Sequence, residues 1–136
     1  MLSYRLVKMI GNGAFGSVFL IKTSNNKNYA MKRISTYNMR TKTKELLLNE
    51  MKLLRYCKCP YIIKFIACKA NATSIEIITK FARYGDFHHI IKRRKKKFIE
   101  NNIWSYFIQT CIGIKYLHNN NIIHRDIKCA NIFLDR

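Results

Sequence analysis

The sequence predicts an α+β fold: an antiparallel sheet carrying one helix, followed by a mainly helical segment. Three observations support this. β-Branched and aromatic runs crowd the first third around a glycine cluster, a helical periodicity interrupts them near 43–55, and a longer helical stripe at 101–118 dominates the last third.

In chain order, Tyr4 to Ile10 and Ser17 to Ile21 read as strands flanking the cluster, which holds three of the five glycines between Gly11 and Gly16. The polar turn Thr23-Ser24-Asn25-Asn26 leads to a third strand, Tyr29 to Ile34. From Thr43 to Arg55, Leu46, Leu47, Met51, Leu53 and Leu54 recur at three- and four-residue spacings, the mark of an amphipathic helix. Ile62 to Ala67 and Ile75 to Phe81 read as a hairpin joined by Asn71-Ala72-Thr73-Ser74. Beyond Tyr84-Gly85-Asp86 comes a short helix ending in the basic run Lys92-Arg93-Arg94-Lys95-Lys96-Lys97. A longer helix then runs from Asn101 to His118, with Ile103, Trp104, Phe107, Ile108, Cys111, Ile114 and Leu117 on its apolar face and Asn119-Asn120-Asn121 as its stop.

A chain of 136 residues has room for one ordinary domain or one two-lobed unit, and 49% hydrophobic content is enough for a core and too much for a disordered tail. No apolar run approaches the roughly 18 to 20 residues of a membrane helix. The start Met1-Leu2-Ser3-Tyr4-Arg5-Leu6-Val7-Lys8 lacks the apolar core of a signal peptide, so the chain is expected in the cytosol or nucleus. Five cysteines with no secretory signal fit reduced thiols, and Cys57-Lys58-Cys59 is one residue short of the usual zinc spacing. The net charge of +19 invites a nucleic-acid reading, but 17 Lys, 13 Asn and 20 Ile against 5 Gly and 1 Pro form the skew that A- and T-rich codons produce without selection for a basic surface. The run Lys92 to Lys97 reads as a solvated surface stretch.

Gly11-Asn12-Gly13-Ala14-Phe15-Gly16-Ser17-Val18 fits G-x-G-x-x-G-x-V, in which small residues let backbone N–H groups approach phosphate oxygens. A dinucleotide-binding turn needs a helix immediately afterwards, whereas Val18-Phe19-Leu20-Ile21 are strand formers. A glycine-rich hairpin over a nucleotide fits the context, against the blander reading of a ligand-free β-turn. On the next strand Lys32 shares a face with Ala30 and Ile34, where an ammonium is costly unless paired. Glu50 falls in the helical stripe Leu47, Glu50, Met51, Leu54, so the two misplaced charges suggest one ion pair. The competing reading has both side chains reaching out to solvent.

His124-Arg125-Asp126-Ile127-Lys128-Cys129-Ala130-Asn131 fits H-R-D-x-x-x-x-N, which supplies a carboxylate to orient a hydroxyl and an amide oxygen to hold magnesium. With these motifs in order, the chain resembles the eukaryotic protein kinases over its whole length. Tyr84-Gly85-Asp86-Phe87 and the stretch from Leu117 to Leu134 look most like NIMA-related kinases of the serine/threonine type. The resemblance implies a partial kinase domain over 1–136: an antiparallel-sheet small lobe to about 79, a hinge at 80–86, and the beginning of a mainly helical large lobe from 87 to the catalytic loop. It also implies ATP and Mg2+ as cofactors, with protein substrates bearing Ser or Thr as partners and neither nucleic acid nor a membrane.

Carried over by residue, the loop Ile10, Gly11, Asn12, Gly13, Ala14, Phe15, Gly16, Ser17 and Val18 would cover ATP, and Val18 and Ala30 would touch adenine. Lys32 would bind the α- and β-phosphates while paired to Glu50. Thr79 would be the gatekeeper, backbone groups of Lys80 and Ala82 would read the adenine edge, and Asp86 would contact the ribose. Asp126 would be the catalytic base, Lys128 would support the transferred phosphate, and Asn131 would bind magnesium. Leu54, Phe65 and His124 match three members of the family's regulatory hydrophobic column.

No Asp-Phe-Gly follows Asn131. Two readings therefore stand: the catalytic-loop portion of a serine/threonine kinase that is inactive by itself, or a non-catalytic remnant that binds nucleotide or a partner. The helix face at Ile103 to Leu117, which later helices of the family would cover, is expected to be exposed.

Overall fold

The computed structural model describes residues 3–13 and 16–135. The chain falls into two compact units, one built from 1–57 with 64–81 and the other from 58–63 with 82–136. Among the described residues no helix is long and apolar enough to cross a membrane.

The first unit is a five-stranded antiparallel sheet with one helix. Strands β1 (Tyr4–Gly13), β2 (Gly16–Thr23) and β3 (Asn28–Ser35) precede helix α1 (Thr41–Tyr56), and β4 (Phe65–Ala70) and β5 (Ser74–Lys80) follow it, in the sheet order β1-β2-β3-β5-β4. Each element contains most of its sequence-predicted span. The exception is β4, expected at 62–67 and found at Phe65–Ala70. Around Pro60 the backbone turns instead, with Ile62 N–H donating to the Cys59 carbonyl, and pairing begins only after the Lys64 carbonyl has accepted from Lys80 N–H.

Strand alternation explains the core. On one sheet face Ile21, Met31 and Ile78 are buried, with Tyr4, Phe19, Tyr29 and Ile66 packed around them. On the other face Ile34 and Ile75 are direct cross-strand partners and both buried. In α1 Met51 is buried and Leu47, Leu48 and Leu54 half-buried, leaving Leu46 and Leu53 in solvent.

A feature not anticipated from the sequence staples β1, β3 and β5. Glu76 is only 5% exposed and lies directly opposite Arg33. Arg33 Nε and Nη2 each reach Glu76 Oε1 at 3.0 Å, and Tyr4 Oη donates to Oε2 at 2.6 Å. Burial, and then the bond to the carboxylate, push the Tyr4 hydroxyl above its usual pKa. The sequence signal was a lone acid inside the apolar run Ile75 to Ile78. Removing one member of a buried pair costs about 3–5 kcal/mol, less where a partner is wet, and the Arg33 side chain is 40% exposed. Glu76→Ala is therefore expected to lower unfolding free energy by roughly 2–3 kcal/mol, measurable by urea titration; a loss under about 0.5 kcal/mol, ordinary for a surface site, would rule the staple out.

The second unit holds strand β6 (Gly85–Asp86), helices α2 (Phe87–Arg93) and α3 (Glu100–Asn119), a 3-10 turn at Cys129–Asn131, and strand β7 (Phe133–Leu134), which pairs with β6. α3 ends as its triple asparagine predicts. Asn121 takes the left-handed conformation (φ 57), while Asn121 N–H bonds the His118 carbonyl and Ile122 N–H bonds that of Leu117, closing a Schellman motif. Gly113 and Leu117 of α3 are buried and Tyr106, Thr110 and Ile114 half-buried, so the expected exposed face loses Ile114 and Leu117. Gly113 allows a close approach there, since a Cβ would stand 3.1 Å from the Tyr61 carbonyl oxygen. Ile103, Trp104, Phe107, Ile108 and Cys111 are exposed, as expected.

Candidate active site

The sequence-predicted residues fall into two groups, one in each unit. In the first, the register aligns the predicted residues in rows across the sheet. Gly11 faces Val18, Val18 faces Lys32, and Lys32 faces Ile77, while Ala30 faces Thr79. Because cross-strand partners point the same way, Val18, Lys32, Ala30 and Thr79 share one sheet face. That face is what the sequence assigned to a nucleotide.

The glycine loop forms the expected hairpin end, with β2 rather than a helix after it, which removes the dinucleotide-turn reading. Asn12 pairs with Ser17 and Gly13 with Gly16, and Ser17 Oγ donates to Asn12 Oδ1 at 3.1 Å. Ile10 is exposed at an irregularity between Met9 and Gly11. Ala14 and Phe15, assigned to the same loop, lie outside the described residues. Gly16 adopts φ +121, and a Cβ there would fall 2.2 Å from the Arg33 carbonyl oxygen of β3. This glycine permits the close approach of two strands.

The expected pair between Lys32 and Glu50 is not formed. Lys32 is half-buried, whereas Glu50 is exposed and makes no ion pair among the described residues. The physical reason is helical phase. The covered face of α1 centres on Met51, and Glu50, about 100° around from it, sits at the margin facing water. Lys80 N–H donates to the Lys64 carbonyl at 2.9 Å.

In the second unit the catalytic-loop residues converge. Lys128 Nζ lies 2.9 Å from Asp126 Oδ1, and Asn131 Nδ2 donates to Asp126 Oδ2 at 2.8 Å and to the Asp126 carbonyl at 2.9 Å. The turn Cys129–Asn131 swings Asn131 back over five residues to make these contacts. Asp126 N–H donates to His124 Nδ1 at 3.3 Å, and Arg125 between them is left-handed (φ 64), a conformation uncommon outside glycine that clusters at functional sites. The bond from Lys128, then that from Asn131, hold the exposed Asp126 carboxyl below the usual carboxylate range. With both amide hydrogens of Asn131 on Asp126, the Oδ1 that remains is the hard oxygen suited to Mg2+. It is a single neutral ligand, and among the described residues no group of three or more His, Cys, Asp or Glu could hold a metal.

Asp86, assigned to the ribose, has a structural role that sequence reading missed. It caps α2, accepting from His89 N–H at 2.9 Å on Oδ1 while His89 Nδ1 lies 2.7 Å from Oδ2. Burial disfavours its charge, but the His89 N–H and ring outweigh that and keep the carboxyl below its ordinary value near 3.9. A depressed carboxylate stabilises the fold above its unfolded pKa, and that contribution is lost as pH falls through the folded value. Asp86→Ala should thus cost about 1 kcal/mol at pH 7, and the difference from the parent should shrink below about pH 4. Paired denaturation curves at pH 7 and pH 3 check this; a deficit that persists unchanged at pH 3 would contradict it.

Comparison with known proteins agrees with this geometry. The family model for the protein kinase domain matches residues 4–136. Similar proteins include the serine/threonine-protein kinase Nek6 of Oryza sativa subsp. japonica, 34% identical over 136 residues covering 98% of this chain and 26% of the relative. The serine/threonine-protein kinase Nek3 of Mus musculus is 35% identical over 134 residues, covering 97% and 26%. The cell cycle serine/threonine-protein kinase CDC5/MSD2 of Saccharomyces cerevisiae is 31% identical over 133 residues, covering 97% and 19%. The chain thus spans about a quarter or less of the length of these relatives. A sheet face that aligns Val18, Ala30, Lys32 and Thr79, a loop that folds Asn131 onto Asp126, and a family match over nearly the whole sequence lead to one conclusion: the chain belongs to the protein kinase family.

Proposed function

We propose that the chain is the ATP-binding and catalytic-loop portion of a serine/threonine protein kinase, which transfers the γ-phosphate of ATP to Ser or Thr hydroxyls of proteins. The observation that carries this reading is the clamp of Lys128 and Asn131 on Asp126. Held ionised, Asp126 is the group that orients a substrate hydroxyl and takes its proton as the oxygen attacks phosphorus. Lys128, beside it, supplies positive charge where the transferred phosphoryl group gathers negative charge. On the sheet face Lys32 attracts the α- and β-phosphates, while Val18 and Ala30 offer apolar contact to the base. Mg2+, when bound, would supply positive charge to offset that of the phosphates, and Asn131 Oδ1 would be a ligand for it.

The second reading, a remnant that binds nucleotide and acts by association, takes its motive from Glu50, which is exposed and makes no ion pair among the described residues. Calorimetric titration of the 136-residue chain with magnesium-ATP tests the part common to both. Weak binding is expected, and Lys32→Met should weaken it about tenfold or more through loss of one charge-assisted phosphate contact. Affinity for ATP that is unmoved by Lys32→Met would rule out this placement of the phosphates.

A further inference from the structure

We infer that Lys92 to Lys97 is a docking surface for an acidic protein segment, one rich in Asp, Glu or phosphorylated residues, beside the catalytic loop. The inference rests on the kinase reading above, because it names the class of substrate that reading would favour.

The first support is unbalanced charge. All six residues are exposed, and none makes an ion pair among the described residues. The carboxylates of the same unit are engaged elsewhere: Asp86 with His89, Glu100 with Trp104 Nε1, Asp126 with Lys128, and Asp135 also has a partner. Six adjacent cations repel one another, and an incoming polyanion removes that cost.

The second support is that the run is held in place. α2 stops at Arg93 and the backbone turns extended at Arg94 (φ −76, ψ 133). Arg94 Nε and Nη2 donate to the carbonyls of Lys96 and Lys97, and its guanidinium lies 4.0 Å from the Phe98 ring centroid. Phe98 in turn packs with Phe87 and Tyr106. Arg94 and Phe98 therefore form a peg that fixes the backbone while the five remaining cations stay exposed, so binding need order only their side chains. The same packing occupies Phe98, and no aromatic ring within the run is left to stack on a base, which disfavours single-stranded nucleic acid.

The third support is position. Phe87, at the start of α2, donates its N–H to the Ile132 carbonyl, one residue beyond Asn131. α2 has seven residues, about 10 Å at 1.5 Å each, so the run stands roughly one short helix away from the catalytic loop. An extended peptide seated at Asp126 covers such a distance in a few residues at about 3.3 Å each.

The test is fluorescence anisotropy on the 136-residue chain with a labelled peptide carrying six glutamates, beside the same peptide with glutamines. The variant replaces Lys92, Arg93, Lys95, Lys96 and Lys97 by Gln and keeps Arg94, so the peg survives. A second variant changes Lys8, Lys27, Lys42, Lys52 and Lys69, all exposed, to Gln and lowers net charge equally. We expect the glutamate peptide to bind at least tenfold tighter than the glutamine peptide, the first variant to erase that preference, and the second to leave most of it. Equal loss in both variants would reduce the effect to net charge and overturn the proposal. Tighter, run-dependent binding of an oligonucleotide duplex, or of phosphatidylserine vesicles, would overturn it in favour of that partner. Magnesium-ATP titration of the first variant should match the parent, which separates failure here from failure of the kinase reading.

Discussion

Gly16→Ala is expected to be among the most damaging single substitutions in the sheet. The new Cβ would meet the Arg33 carbonyl oxygen at 2.2 Å and Ile34 Cα at 3.2 Å, both backbone atoms of β3 that cannot rotate away. The φ of +121 adds strain that only glycine escapes. Relief requires β2 and β3 to part where Ser17 faces Arg33, which also disturbs the Arg33 bonds to Glu76. Steric and backbone terms together place the loss at about 3–5 kcal/mol, a large fraction of a small domain's stability. Gly13→Ala is the matched control, because a Cβ there meets nothing within 4 Å. Thermal melts of the two variants should differ widely, and near-equal melts would show that the hairpin end is not packed as described.

Asp126→Asn is expected to remove most phosphoryl transfer while leaving nucleotide affinity nearly intact. The amide keeps the shape of the carboxylate but cannot accept the hydroxyl proton, and it gives Lys128 Nζ no charge to pair with at 2.9 Å. General-base contributions of this kind are worth about 10²–10⁴ in rate. Because Lys128, then Asn131, lower the Asp126 pKa, the parent should stay in its basic form well into mildly acidic conditions. A rate that falls with pH already near 6 to 7 would mean another group is titrating. Kinetics are to be measured on residues 1–135 joined in frame to the remainder of a kinase domain from a Nek relative.

Much of this was legible in the sequence because short-range rules fix it. Glycines at 11, 13 and 16 before strand formers dictate a hairpin, and period-two alternation places Ala30 with Lys32. The five-residue spacing from Asp126 to Asn131 needs only one 3-10 turn to become contact. What was not legible depends on long-range register and helical phase. Arg33 and Glu76 are 43 residues apart and meet only because β3 pairs with β5. Glu50 falls in an i, i+3, i+4, i+7 stripe, but the 3.6-residue period leaves a wide face whose centre the pattern alone does not define. In α3 the exposed face at Ile103 and Phe107 was legible, whereas the burial of Gly113 and Leu117 at the end of the helix was not.

The most direct test of the kinase reading is transfer of labelled γ-phosphate from ATP to a serine-bearing protein by that joined chain, compared with the 136 residues alone. The account predicts transfer by the joined chain, dependent on both Lys32 and Asp126. It predicts none by the 136 residues, in which Asn131 is the residue proposed to bind magnesium and no Asp-Phe-Gly occurs. Transfer by the joined chain that persists undiminished in Asp126→Asn, or no transfer at all despite magnesium-ATP binding, would contradict it.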